Sequence, residues 1–270
     1  MNILETIVAW KKKELAQTKA NVPVAELEKA PGYARNCQSL KASLERAESS
    51  GIIAEFKRRS PSKGNINATA TVERVIPAYA LHGATGLSVL TDHHFFGGGN
   101  ADLQVARSVS DLPILRKEFI IDPYQVVEAK AIGADVVLLI AECLNQKEVA
   151  ALAKQATSLG LEVLLEMHSQ EQLHKLCPEV TMVGINNRDL TTFSVDIDRS
   201  IALARKLPDA MPKIAESGIN DPAVIHQMKQ AGFDGFLIGE HFMKQKDPGV
   251  AFQQFIAQVR TLAEKPAKNA

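Results

Sequence analysis

Glu55, Lys57, Lys117, Glu166, Asn186 and Glu216 are side chains that could do acid–base chemistry or bind polar groups, and each closes a short apolar run. The runs read Ile-Ile-Ala-Glu55-Phe-Lys57, Ile-Leu-Arg-Lys117, Val-Leu-Leu-Glu166, Val-Gly-Ile-Asn186 (with Arg188 just beyond) and Lys-Ile-Ala-Glu216 (followed by Ser217-Gly218). For a single residue, a strand end meeting solvent is an equally good explanation. Five such endings in one chain weaken that explanation. Three carboxylates and two lysines gathered at one mouth would lose hydration and need each other as counter-ions, so their pKa values would shift. General acid–base catalysis uses such a setting.

An element must bring these residues together. From residue 51 onward a pattern recurs eight times: a short apolar run, a polar or glycine-containing turn, then a segment of helical period. The runs are Gly51–Phe56, Leu87–Leu90, Ile114–Lys117, Asp135–Ile140, Glu162–Glu166, Met182–Asn186, Lys213–Glu216 and Gly235–Ile238. They are rich in Val, Ile and Leu with little alternation, as strands covered on both faces should be. Parallel strands need crossover connections, and each gap is long enough for a turn and a helix. Asp122-Pro123 and Asp221-Pro222 place an N-cap before a proline at the first helical position, and Gly133, Gly160 and Gly232 stand where helices should stop. Eight such units without a break in composition predict an α/β fold, a single (β/α)8 TIM barrel over 51–264. Residues 1–50 predict an N-terminal helical extension with helices near 3–20, 24–30 and 36–48. It would lie over one mouth of the barrel or on its side, as part of the same domain. The tail from Glu264 to Ala270 is expected to fray.

Barrel enzymes work at the C-terminal ends of their strands, and often bind phosphate with the loops after the seventh and eighth strands. Ser217-Gly218 follows the seventh run here and Gly239-Glu240 the eighth. Glycine lets backbone N–H groups approach an anion closely. The Glu240 side chain is anionic, so only its N–H could serve. With Lys57 aimed into the same mouth, a phosphate site is the favoured reading.

Other features read more plainly. Lys+Arg and Asp+Glu are both 31, so the net charge is zero, which argues against a nucleic-acid or anionic-membrane binder. Cys37, Cys143 and Cys177 are sparse and odd in number, which predicts free thiols and a reducing cytoplasm. Val136–Ala141 is too short an apolar run to span a membrane. Ile3, Ile7 and Trp10 fall at helical spacing, and Lys11-Lys12-Lys13 follows them, the wrong order for a signal peptide. The three lysines read as the wet side of the first helix, Arg58-Arg59 as a solvated loop face, and Gly97-Gly98-Gly99 as a flexible loop. His93-His94 lacks a third ligand at zinc spacing and reads as a solvated loop, and His168 as a rim residue without a catalytic role.

Six blocks together resemble the indole-3-glycerol-phosphate synthase family. They are Ile53-Ala-Glu-Phe-Lys-Arg-Arg-Ser-Pro-Ser-Lys-Gly64, Ser88-Val-Leu-Thr-Asp92, Leu115-Arg-Lys-Glu-Phe-Ile-Ile-Asp-Pro-Tyr-Gln125, Val183-Gly-Ile-Asn-Asn-Arg-Asp-Leu190, Ala215-Glu-Ser-Gly-Ile219 and Gly235-Phe-Leu-Ile-Gly239. They come in the family's order and span the barrel. The chain is similar to the single-function form, not the fusion with a second barrel. The resemblance implies a carboxy-lyase of tryptophan biosynthesis that acts on 1-(2-carboxyphenylamino)-1-deoxyribulose 5-phosphate. It implies no cofactor and no metal. It makes Glu55, Lys57, Lys117 and Glu166 the catalytic set. Ser60, Phe119, Asn186, Arg188 and Glu216, with Phe96, would contact the substrate, and Lys57, Ser217, Gly218, Gly239 and Glu240 the phosphate. The partner is a small phosphorylated molecule, with no nucleic acid and no membrane, and the expected state is a monomer. Two departures stand out: Asp92-His-His-Phe-Phe-Gly97 replaces the family's acidic-lysine-aromatic-Phe loop, and Glu240 stands where serine is common. Two rivals remain at this level, a sugar-phosphate isomerase barrel and a barrel that only binds a ligand.

Overall fold

The computed structural model describes residues 2–188 and 194–264. Eight parallel strands close into a barrel: β1 Ile52–Phe56, β2 Gly86–Leu90, β3 Ile114–Lys117, β4 Val136–Ile140, β5 Glu162–Met167, β6 Met182–Asn186, β7 Lys213–Glu216 and β8 Gly235–Ile238. Each strand pairs with its sequence neighbours, and β8 pairs with β1 through Ile52–Phe236, Ile53–Leu237 and Ala54–Ile238. The expected strand positions hold to within a residue at nearly every end.

The connecting helices are α4 Val72–Leu81, α5 Asn100–Ser108, α6 Pro123–Ile132, α7 Gln146–Ser158, α8 Ile197–Ala204, α9 Pro222–Gln230 and α11 Pro248–Glu264, with α10 Glu240–Met243 a short turn after β8. Both Asp-Pro signals act as read: Asp122 caps the Tyr124 N–H at 2.9 Å and Asp221 the Ala223 N–H at 2.8 Å. The crossover after β5 departs from the pattern. It is a 3-10 helix, Gln170–Lys175, in place of an α-helix. A tight ribbon, Arg59–Ser60 against Gly64–Asn65, follows β1.

Alternation sorts the strand residues. Ile53, Leu115, Leu138, Leu164, Met182, Ile214 and Leu237 form one cluster inside the ring. The alternate residues, such as Ala54, Val137, Val163 and Ala215, pack outward against the helices. A side chain two positions beyond an inward residue also points inward. Leu115 therefore predicts the direction of Lys117, Leu164 that of Glu166, Ile214 that of Glu216 and Ile53 that of Glu55.

The extension touches three parts of the barrel. Its first helix, α1 Ile3–Asn21, buries Ile7, Lys11 and Leu15. Leu15, with Leu27 of α2 Val24–Leu27, packs on Tyr124, Val127 and Ala131 of α6. Leu40 and Leu44 of α3 Leu40–Leu44 join the cluster inside the barrel and plug its N-terminal mouth. The expected helix over 36–48 is shorter because its start is set from outside. The Glu162 carboxylate accepts the Leu40 and Lys41 N–H groups at 2.8 and 3.1 Å, and Ser39 Oγ caps Ala42. Asp135, fully buried, takes Arg35 and the Gln38 N–H on one oxygen and Arg107 and the Ile114 N–H on the other, all within 2.8 Å. The tail beyond Glu264 and the Asp189-Leu190 end of the fourth block lie outside the described residues.

Removing the Asp135 carboxylate would leave two arginines without their shared counter-ion and two N–H groups unpaired. Asp135→Ala is expected to lower the unfolding free energy by about 3–5 kcal/mol, as for other broken buried pairs, measured by urea denaturation. A loss under about 1 kcal/mol would show that the extension is not held this way.

Candidate active site

At the C-terminal mouth the barrel opens into a cavity of about 500 Å³. Every residue named from the sequence for catalysis, substrate or phosphate borders it: Glu55, Lys57, Ser60, Phe96, Lys117, Phe119, Glu166, Asn186, Arg188, Glu216, Ser217, Gly218, Gly239 and Glu240. The strand ends bring side chains from all eight strands to one small volume.

Two lysines divide the acidic groups. Lys117 Nζ lies 2.7 Å from Glu166 Oε2 and 3.0 Å from Glu216 Oε2. Lys57 Nζ lies 2.7 Å from Glu55 Oε1. Asn186 Nδ2 donates to the other oxygen of Glu166 at 2.9 Å, and Asn186 Oδ1 accepts the Arg188 N–H at 3.0 Å. Glu216 Oε1 has no hydrogen-bond partner among the described residues. His168, read as a rim residue, places Nε2 3.5 Å from Glu166 Oε1.

The environment pushes these groups apart in pKa. Burial alone would lower Lys117, but the Glu166, Glu216 and Glu55 carboxylates outweigh it and hold the ammonium above its ordinary range. Burial would likewise raise Glu166, and Lys117 and His168 overturn that and hold it low. Glu216 is raised from 4.5 to about 8, first by burial and then, against the pull of Lys117, by the charge on Glu166. Of the two carboxylates on Lys117, Glu216 is therefore the one pushed toward its protonated form and Glu166 the one held anionic.

Glycine is needed where the backbones crowd these carboxylates. A Cβ on Gly239 would lie 2.5 Å from Glu55 Oε1, and one on Gly184 would collide with Glu216 Oε1. Ser217, at φ 68°, is the one described non-glycine residue in the left-handed region, and Asn187 Nδ2 holds its carbonyl at 2.8 Å. Gly239 and Glu240 begin α10, where the first N–H groups of a helix have no intrahelical acceptor. The Glu240 carboxylate turns toward Lys63, at 3.9 Å, and Arg188, at 4.0 Å.

The flank opposite the charges is apolar. Phe96 and Phe119 lie 5.9 Å apart between ring centroids, beside Leu90, Leu138 and Ile140. Ile3, Leu4 and Ile7 of α1 complete it. The sequence left the extension over one mouth of the barrel or on its side, and α1 borders this mouth.

The indole-3-glycerol phosphate synthase family model matches residues 4–255. This chain belongs to the indole-3-glycerol phosphate synthase family. A relative of that name from Bacteroides thetaiotaomicron is 47% identical over 259 residues, covering 96% of this chain and 99% of its own. Another from Salinibacter ruber is 40% identical over 270 residues, 99% of this chain and all of its own. Among solved structures, the tryptophan synthase alpha subunit from Legionella pneumophila covers 82% of this chain and 97% of its own at a TM-score of 0.60, with 14% identity, a likeness of fold alone.

Three readings change in this family member. Lys11 is not on the wet side of its helix: it is 3% exposed and ion-paired. Arg58 is not a solvated loop residue, since it clamps Asp102 with two bonds of 2.7 and 2.8 Å. The triple-glycine loop is not loose, because the Gly98 N–H bonds to the Asp92 carbonyl and a Cβ at Gly98 would collide with the Leu90 carbonyl. His93 and His94 are exposed, as read. No described helix is long and apolar enough to cross a membrane.

A carboxyl whose folded pKa lies above its unfolded value supports the fold while protonated. That support is complete below about 4.5 and is lost as pH rises through about 8. Glu216→Gln imitates the protonated group at every pH. The stability of the variant relative to the original chain should therefore rise between about pH 5 and about pH 9, read from urea midpoints. A flat difference would place the proton elsewhere.

Proposed function

We propose that this cavity closes the indole ring of 1-(2-carboxyphenylamino)-1-deoxyribulose 5-phosphate, yielding indole-3-glycerol phosphate, carbon dioxide and water. The observation that carries the reading is the pair of Lys–Glu couples, Lys117 with Glu166 and Lys57 with Glu55, facing one cavity that has an aromatic flank and two glycine-containing turns. The anilino nitrogen pushes electrons so that the ring carbon bearing the carboxylate attacks the ribulose carbonyl. Lys117 gives a proton to the carbonyl oxygen as it becomes a hydroxyl. The carbon–carboxylate bond then breaks, and its electron pair restores the aromatic ring and neutralises the iminium nitrogen. Finally the hydroxyl leaves as water and a ring proton is lost, with Glu55 and Lys57 as base and acid. The substrate is its own electron sink, so the protein supplies proton transfers, positioning and charge stabilisation.

Glu166, held anionic, stabilises the cationic intermediate and assists proton transfer. Asn186, Arg188 and Ser60 take the anthranilate carboxylate and nearby hydroxyls, and Glu216, whose Oε1 is unengaged, takes a sugar hydroxyl. Ser217, Gly218, Gly239 and the Glu240 N–H hold the phosphate with Lys57. Phe119 and Phe96 line the apolar slot for the ring. Residues 1–50 and 51–264 act as one domain. The chain works as a monomer in the cytoplasm, on a small phosphorylated molecule.

The decisive experiment is incubation with the anthranilate–ribulose phosphate adduct while indole absorbance is followed. Lys117→Ala should cut turnover by at least about a hundredfold in a chain that still unfolds cooperatively in urea, since it deletes the acid that serves the carbonyl oxygen. Full single-turnover activity would remove Lys117 from the mechanism. Ser217→Asp keeps a residue type that tolerates the left-handed region while adding a like charge. It should weaken substrate and inorganic phosphate by about tenfold or more. Unchanged affinity for both would move the phosphate elsewhere.

A further inference from the structure

The ion pairs of Lys11 lie outside the reacting groups, yet they end on both loops that carry the aromatic flank. Lys11 follows Ile7 by one helical turn on the inner face of α1, and Ile7 borders the cavity. An ammonium has three donors. Those of Lys11 face three carboxylates: Glu14 at 2.7 Å, Asp92 at 2.9 Å and Glu118 at 3.0 Å. Glu14 lies in the same helix. Asp92 follows the end of β2, and Glu118 follows β3 directly.

Each of these two acids also holds the backbone of a phenylalanine. Asp92 is fully buried, and its Oδ1 accepts the Phe95 and Phe96 N–H groups at 2.7 and 3.2 Å. Glu118 is 4% exposed; its Oε1 accepts the Phe119 N–H at 2.9 Å and its Oε2 the Thr91 hydroxyl at 2.7 Å. One cation therefore joins the helix that covers the cavity to the two turns from which Phe96 and Phe119 project. Without it, two buried carboxylates would face each other unscreened, and the turns they brace would have to separate.

The geometry points to Lys11 as a positioning residue for the aryl half of the substrate: it sets the spacing between Phe96 and Phe119 and seats α1 over them. This rests on the proposed function, which puts the aromatic ring in that flank. Lys11 contributes nothing to proton transfer and nothing to the phosphate, since it touches neither end. Its removal should separate aryl affinity from the other binding terms, whereas a merely structural lysine would weaken all of them together or none.

The fold supplies a reporter for this seam. Trp10, the only tryptophan in the chain, precedes Lys11 and stacks on His94 at 3.9 Å between centroids, on the loop that carries Phe96. Acrylamide quenching of Trp10 reads the docking of α1 separately from global unfolding.

The test compares the original chain with Lys11→Met, Lys11→Arg and Glu118→Gln. The probes are the ribitol analogue of the adduct, whose reduced carbonyl cannot react, and inorganic phosphate. For Lys11→Met, KM and the Kd of the analogue should rise by about tenfold or more, with phosphate affinity within about twofold and kcat within about threefold. Trp10 should become more accessible to acrylamide. Lys11→Arg, which keeps the charge, should recover most of the loss, and Glu118→Gln should show the same selective loss at smaller size. Analogue affinity within about twofold of the original in Lys11→Met overturns the proposal, as does an equal loss for analogue and phosphate. Should Lys11→Met fail to fold, Glu118→Gln decides on the same criterion. Analogue binding by the original chain without turnover of the adduct would sink the reading of function and leave the selectivity comparison intact.

Discussion

The Lys117 ammonium, wedged between Glu166 and Glu216, is the contact on which the site depends. None of the three groups could stay charged in that position alone, because burial favours the neutral form of each. Together they bias one another: Lys117 and Glu166 are held toward their charged forms, and Glu216 is pushed toward its protonated one. The arrangement requires that the ends of β3, β5 and β7 be held within hydrogen-bond distance of one another. A closed ring of parallel strands does this without any loop having to reach across.

The two mouths of the ring handle polarity differently. At the N-terminal mouth, Leu40 and Leu44 fill the interior, and charged groups such as Glu162 and Asp135 are satisfied by backbone N–H groups, by Arg35 of the extension and by Arg107 of α5. That end is closed, and its charges serve stability. At the C-terminal mouth the inward layer changes from Leu and Ile to Lys and Glu within two residues along β1, β3, β5 and β7, and the ring stays open. The extension serves both ends, plugging one with α3 and bordering the other with α1.

Much of this was legible in the residues. The strand runs, the Asp-Pro helix starts and the glycine stops rest on local rules, and the structure keeps them. The sequence put Glu55, Lys117, Glu166 and Glu216 at strand ends; their inward direction follows by counting two positions on, once the structure places Ile53, Leu115, Leu164 and Ile214 inside the ring. The same rule sends Arg116, adjacent to Lys117, outward, where it pairs with Glu128. The readings that changed share one cause. Lys11 and Arg58 looked solvated because a run of basic residues on a helix or loop usually is. Lys11 is buried and Arg58 partly buried, each against an acidic partner more than 40 positions away, Asp92 for one and Asp102 for the other.

The order of residues by itself determined the number of strands, the end of the ring at which chemistry gathers and the side chains that stand at the strand ends, because an apolar run marks its own strand and a cap acts within one turn. Only the tertiary structure decided which carboxylate is pushed toward its protonated form, which helix borders the cavity and which lysine of Lys11-Lys12-Lys13 is drawn inside. Those outcomes turn on burial and on charges from remote segments, and Coulomb energy depends on separation in space, which the order of the chain does not contain.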